Sequence, residues 1–161
     1  MIENKLNNIK DAISKSVTIV AVSKTKPIND ILQLYKSGHL DFGENKVQEL
    51  LFKEEKLPKD IKWHMIGHLQ GNKVKSIVPF INLIHSVDSL RLIKKIDEEA
   101  KLINNSVNIL LQVKISREVS KYGFSFAELN SFLNSSYPGQ YQNINIQGLM
   151  GMATFTNDKD M

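Results

Sequence analysis

Val17-Thr18-Ile19-Val20-Ala21-Val22-Ser23-Lys24-Thr25-Lys26-Pro27 is an apolar, β-branched run that stops abruptly at two lysines and a proline. Such a run reads as a strand buried on both faces, the habit of parallel sheets. Lys24 then stands at the strand's carboxyl end, where α/β folds place their ligands. An ammonium at the mouth of an apolar strand is costly unless it serves a ligand or a partner. Residues i and i+2 of a strand share a face, so the same reading projects Lys24 and Lys26 the same way. Crowded, partly desolvated amines favour the neutral nucleophile that Schiff-base chemistry needs. Two lysines that merely end a strand in solvent are the ordinary alternative.

Outward from this run the pattern alternates. Ile2, Leu6, Ile9 and Ile13 fall at helical spacing before it, and Pro27 opens a helix after it that Gly38 closes. Short strands are expected at Leu40–Phe42, Lys62–Gly67, Asn82–Ser86, Val107–Ile115 and Ile144–Ala153, with helices between them. Ser125-Phe-Ala-Glu128 has the spacing of a capping box. Alternating strands and helices predict right-handed βαβ units on a parallel sheet. Periodicity alone fits a doubly wound sheet and part of a (β/α)8 barrel equally well.

The 161 residues suit one domain with a real core, and 42% hydrophobic with 24% charged residues is ordinary globular composition. The net charge is +4 with the lysines scattered, so no basic, aromatic-interleaved patch points to nucleic acid. Without cysteine there are no disulfides or thiolate metal sites. No apolar run approaches a membrane span and the first residues lack a signal-peptide core, which predicts a soluble, cytoplasmic protein.

Other motifs fall at strand ends. Gly43-Glu44-Asn45 marks a strand-to-helix turn where a backbone can approach a ligand, or where Glu44 or Asn45 simply caps the helix. His64 and His68 straddle a strand end without a third ligand nearby, which favours hydrogen-bonded histidines over a metal site. Ser120-Lys121-Tyr122-Gly123 follows the Val107–Ile115 strand on a polar loop, placing Lys121 above the ligand-facing end. Gly148-Leu-Met-Gly-Met-Ala153 has glycines where a packed strand's neighbours approach.

In their order these motifs carry more than they do singly. Ala21-Val-Ser-Lys-Thr-Lys-Pro27, Phe42-Gly-Glu-Asn45 with Val47-Gln-Glu49, Trp63-His-Met-Ile-Gly-His-Leu-Gln70 with Asn72-Lys73, Ser120-Lys-Tyr-Gly123 and Gly148-Leu-Met150 resemble the pyridoxal phosphate homeostasis protein family, relatives of the N-terminal barrel of alanine racemase. The resemblance implies an α/β fold, a (β/α)8 TIM barrel of the alanine racemase N-terminal type, with about six βα units present in residues 1–161 as a single domain. It implies pyridoxal 5′-phosphate (PLP) held as an aldimine on Lys24, with Lys26, Asn45, His64 and Lys121 lining the pocket. It also implies a cofactor carrier or buffer without catalytic turnover, whose partners are PLP and PLP-dependent client enzymes. An amino-acid racemase is the rival reading, and it would need a second acid/base opposite Lys24.

Two departures stand out. Lys46 follows Gly-Glu-Asn where relatives often have tyrosine. The family also continues for two more βα units, which carry the phosphate grip; barrels commonly bind phosphate with the loops after strands seven and eight. A six-unit chain is therefore expected to be incomplete at its C-terminus, with weak cofactor retention, open sheet edges and marginal stability, self-association or completion by another polypeptide. A truncated product with impaired PLP binding is the third reading.

Overall fold

The computed structural model describes residues 2–115, 122–135 and 138–153. Helix α1 (Ile2–Ala12) leads into β1 (Ala21–Val22), α2 (Ile28–Lys36), β2 (Asp41–Glu44) and α3 (Val47–Lys56). The alternation continues through β3 (Lys62–Met65), a 3-10 turn at Gly71–Lys73, α4 (Val74–Ile77), β4 (Ile81–Val87), α5 (Leu90–Leu102), β5 (Val107–Val113), α6 (Phe126–Leu133) and β6 (Ile144–Gly151). All neighbouring strands are parallel, and their spatial order is β1-β2-β3-β4-β5-β6.

That order resolves what periodicity left open. A doubly wound sheet reverses its strand order at a switch point, which puts helices on both faces. Here the order never reverses, so right-handed crossovers carry every helix to the same side, as in a (β/α)8 barrel. Among the described residues β1 pairs only with β2 and β6 only with β5, so the sheet is a barrel segment with two edges.

The core lies between the sheet and its helices. Phe42, Trp63, Met65, Ile84, Ile109 and Leu111 project from the strands into one cluster with Ile31, Leu50, Ile77, Ile93 and Ile96 of the helices. Trp63 and Phe42 are register partners, and their rings meet at 6.2 Å between centroids. Helix starts are specified locally where polar residues allow. Ser125 and Glu128 form the expected reciprocal capping box on α6, and the Ser89 hydroxyl accepts from the Leu92 amide on α5.

The opening strand differs from expectation. Only Ala21 and Val22 pair, with Phe42 and Gly43, and Val17 and Val22 are each about half exposed. The run is not buried on both faces, because among the described residues no strand flanks its outer edge and no ladder continues it. Lys24 and Lys26 consequently do not share a strand face: Lys24 and Thr25 form a turn, with Thr25 at φ 63°.

Candidate functional site at the carboxyl rim

Parallel pairing puts the carboxyl ends of all six strands on one rim. The Ser23 amide donates to the Gly43 carbonyl at 3.0 Å, and the Ile66 amide donates to the Glu44 carbonyl at 2.9 Å. These two bonds bring Lys24, Asn45 and Gly67 side by side. Lys24 and Lys26 are exposed and Asn45 is half-buried. Among the described residues no carboxylate pairs with the ammonium of Lys24 or Lys26. Lys121 lies outside the described residues.

Beneath Lys24 sits a buried polar cluster. Lys53 is on the face of α3 that carries Val47, Leu50 and, one turn beyond, Leu57, and it is buried with them. Its Nζ donates to the Ser23 carbonyl, to Glu44 Oε1 and to Glu49 Oε1, each at 2.7 Å. Glu44 Oε1 also accepts from the Ser23 hydroxyl at 2.6 Å, and Glu49 Oε1 accepts from the Thr25 amide at 2.6 Å. The Lys53 ammonium beside Glu49 holds that carboxyl below the usual glutamate range. Glu44 is therefore no helix cap; α3 begins after Lys46, without a side-chain cap. The turn at Thr25 is unusual for a β-branched residue, a conformation costing about 1–3 kcal/mol. The N–H of that residue is taken up by Glu49.

His64 has partners of its own. It lies one residue short of the end of β3, buried, with Nε2 3.0 Å from Asp41 Oδ1 and Nδ1 2.9 Å from His85 Nε2. A carboxylate only accepts, which assigns Nε2–H to His64 and makes its Nδ1 the acceptor of His85 Nε2–H. The polar line runs on across the same sheet face. Asn108 Nδ2 donates to the Asn82 carbonyl at 3.0 Å, and Asn145 Nδ2 lies 3.3 Å from Asn108 Oδ1. This face turns away from the helix-packed core, and His64 serves its cohesion.

Burial depresses both histidines, with Asp41 partly opposing it at His64, and His85 falls to about 4 from 6.5. Both are neutral in the fold, so the unfolded chain binds more protons below the ordinary histidine value. Stability contributed by His85 is complete above pH 6.5 and is lost as pH falls towards 4. After allowance for partial exposure the loss is about 2 kcal/mol. Urea unfolding at stepped pH should show this acid limb and His85→Leu should shrink it; an unchanged limb in that variant would refute the assignment.

Two further rim residues, His68 and Tyr122, sit above β3 to β5. His68 Nδ1 is 3.1 Å from Asp88 Oδ2, and its ring stacks on Tyr122 at 3.9 Å and 15°. Tyr122 arrives there because the chain after β5 folds back: Phe124 N–H donates to Gln112 O at 2.8 Å, and Lys114 N–H donates to Phe124 O at 2.9 Å. Gly123 permits that approach, with φ 136° and only 2.7 Å between a hypothetical Cβ and the Lys114 nitrogen. Lys53 had one legible signal, since a lysine three residues after Leu50 falls on α3's apolar stripe. The partnering of His68 with Asp88 and Tyr122 had none.

The rim can therefore present an exposed primary amine on a pinned turn, a second ammonium two residues on and a side-chain amide beside it. That donor set fits an aldehyde-bearing anion such as PLP.

The family described as alanine racemase, N-terminal domain, matches residues 1–160. The Pyridoxal phosphate homeostasis protein of Synechocystis sp. is 42% identical over 137 residues, covering 84% of this chain and 62% of that protein. The Escherichia coli K12 protein of the same name is 31% identical over 165 residues, covering 94% of this chain and 70% of its own. The chain thus spans about six- to seven-tenths of the length of these relatives. PipY of Synechococcus elongatus PCC7942, 35% identical, superposes with TM-scores of 0.92 without PLP and 0.88 with PLP bound. These structures cover 98% and 97% of this chain, and 74% and 72% of PipY. A family match along nearly the whole chain places this chain in the alanine racemase N-terminal domain family, among the pyridoxal phosphate homeostasis proteins.

Proposed function

We propose that this chain binds pyridoxal 5′-phosphate reversibly through Lys24 and serves cofactor homeostasis in the cytoplasm, releasing PLP to dependent client enzymes. The observation that carries the reading is Lys24 itself, an amine free of any carboxylate partner among the described residues, on a turn at the carboxyl end of β1. The relative PipY, whose structure has PLP bound, supports the ligand's identity.

The bound group supplies an aldehyde that condenses with a primary amine, releasing one water, and hydrolysis reverses the step. Lys24 in its neutral form would be the amine, and both of its Nζ hydrogens would leave with the aldehyde oxygen as that water. Lys26 adds positive potential for an anionic ligand, and Asn45 offers an amide donor and acceptor at the neighbouring strand end. Lys121 is the further cation that the family resemblance implies for the ligand. Reversible condensation without turnover is the behaviour of a carrier.

The test is an absorbance titration with PLP, borohydride reduction and peptide mapping on the unmodified chain, Lys24→Ala and Lys26→Ala. The label is expected on Lys24, to vanish in Lys24→Ala and to persist, with weaker binding, in Lys26→Ala. Label scattered over surface lysines in the unmodified chain would refute the reading.

A further inference from the structure

We infer that Lys53, with Glu44, Glu49 and Ser23, is a positioning device that sets the Lys24 turn for the ligand; the inference rests on the reading that Lys24 meets the ligand's aldehyde. Lys53 is 3% exposed at its side chain and Glu44 is fully buried. Burying such a pair is no route to stability in itself, since apolar residues of similar size commonly do as well or better. The geometry indicates another use. All three hydrogens of the Lys53 ammonium are directed, to Ser23 O, Glu44 Oε1 and Glu49 Oε1.

One of those bonds reaches a residue flanking Lys24 directly, and another reaches the other flank through Glu49. Ser23, before it, is held at its carbonyl by Lys53 and at its hydroxyl by Glu44. Thr25, after it, is held at its N–H by Glu49, the same carboxylate oxygen that Lys53 grips. The turn is closed by the Lys26 amide donating to Ser23 O at 3.0 Å. The backbone of Lys24 is thus clamped on both sides from one buried ammonium, while its own side chain stays exposed. An amine so placed needs no ordering of its backbone when the ligand arrives, which is how a pinned turn raises affinity without touching the ligand.

Glu49 allows the cleaner test because its side chain is 24% exposed, whereas Glu44 is fully buried. Glu49→Ala removes the Thr25 anchor, whereas Glu49→Gln keeps a carbonyl oxygen able to accept from both Thr25 N–H and Lys53. Three readouts are compared with the unmodified chain: PLP affinity with mapping of the reduced label, amide hydrogen exchange at Thr25 in the ligand-free chain, and Tm. Glu49→Ala should weaken PLP binding roughly tenfold or more, accelerate exchange at Thr25 and change Tm little. Glu49→Gln should restore most of the affinity and the protection. Unchanged affinity in Glu49→Ala, with the label still on Lys24, would overturn the inference and leave the Lys24 reading standing. A Gln variant as weak as the Ala variant would also overturn it, since the charge and not the geometry would then matter. So would an affinity loss accompanied by unchanged Thr25 exchange. Label away from Lys24 in the unmodified chain removes the reading itself, and the inference with it.

Discussion

Lys53→Met is expected to destabilise the chain by about 3–5 kcal/mol, the cost of leaving a buried charge without its partner. Methionine matches the lysine stem in length and suits the apolar stripe of Val47, Leu50 and Leu57, so packing is not what fails. What fails is compensation. Glu44 is fully buried and its Oε2 has no hydrogen-bond partner among the described residues, so without Lys53 the carboxylate keeps only the Ser23 hydroxyl. Against a typical total of about 5–15 kcal/mol, that loss consumes a large share of the fold's stability. The double variant Lys53→Met with Glu44→Gln removes both charges and should recover most of it. Urea midpoints at constant m-value measure both. A single variant as stable as the parent would mean that the pair is not buried in solution.

Gly67→Ala is the second large effect, and it acts on the rim. A Cβ at Gly67 would lie 2.3 Å from the Asn45 carbonyl oxygen and 2.7 Å from the Asn45 Cα. Both are backbone atoms, so no side chain can swing aside and the β2–α3 turn itself must move. Overpacking of this kind costs about 1–3 kcal/mol. The displaced residue is Asn45, so PLP affinity should fall about tenfold as well. Gly71→Ala is the matched control: its Cβ would meet nothing nearer than a flexible Lys95 side-chain atom at 3.9 Å, so stability should stay within about 0.5 kcal/mol. Thermal unfolding and the PLP titration on both variants decide the matter. Equal behaviour of the two would show that Gly67 does not hold Asn45 in place.

The difference between legible and illegible features follows the range of the interactions. The later strands were legible because Val107–Val113 and Ile144–Gly151 alternate or run apolar over seven and eight residues. The capping box at Ser125 and Glu128 was legible because both partners lie within one helical turn. The extent of the first strand was not. Its apolar residues announce a strand, but ladder pairing depends on what lies alongside, and only Ala21 and Val22 enter the ladder with β2. His64 drew notice for its chemistry, yet its partners Asp41 and His85 come from the strands on either side. A cap was one reading of Glu44 because its turn is local, while its partners Lys53 and Ser23 lie nine and 21 residues away.

By itself the sequence determined the βα alternation, the family and the identity of Lys24 as the residue to question, because hydrophobic period and ordered short motifs are properties of contiguous chain. Tertiary structure alone decided that the strands follow one another without reversal, that Lys24 sits on a turn and not on a strand face, and that Lys53 reaches up from α3 to hold that turn. Those outcomes depend on which groups parallel pairing and helix packing bring within hydrogen-bond distance across 20 to 30 residues of chain, as with Ser23 and Glu44 or Ser23 and Lys53, and no local pattern encodes that distance.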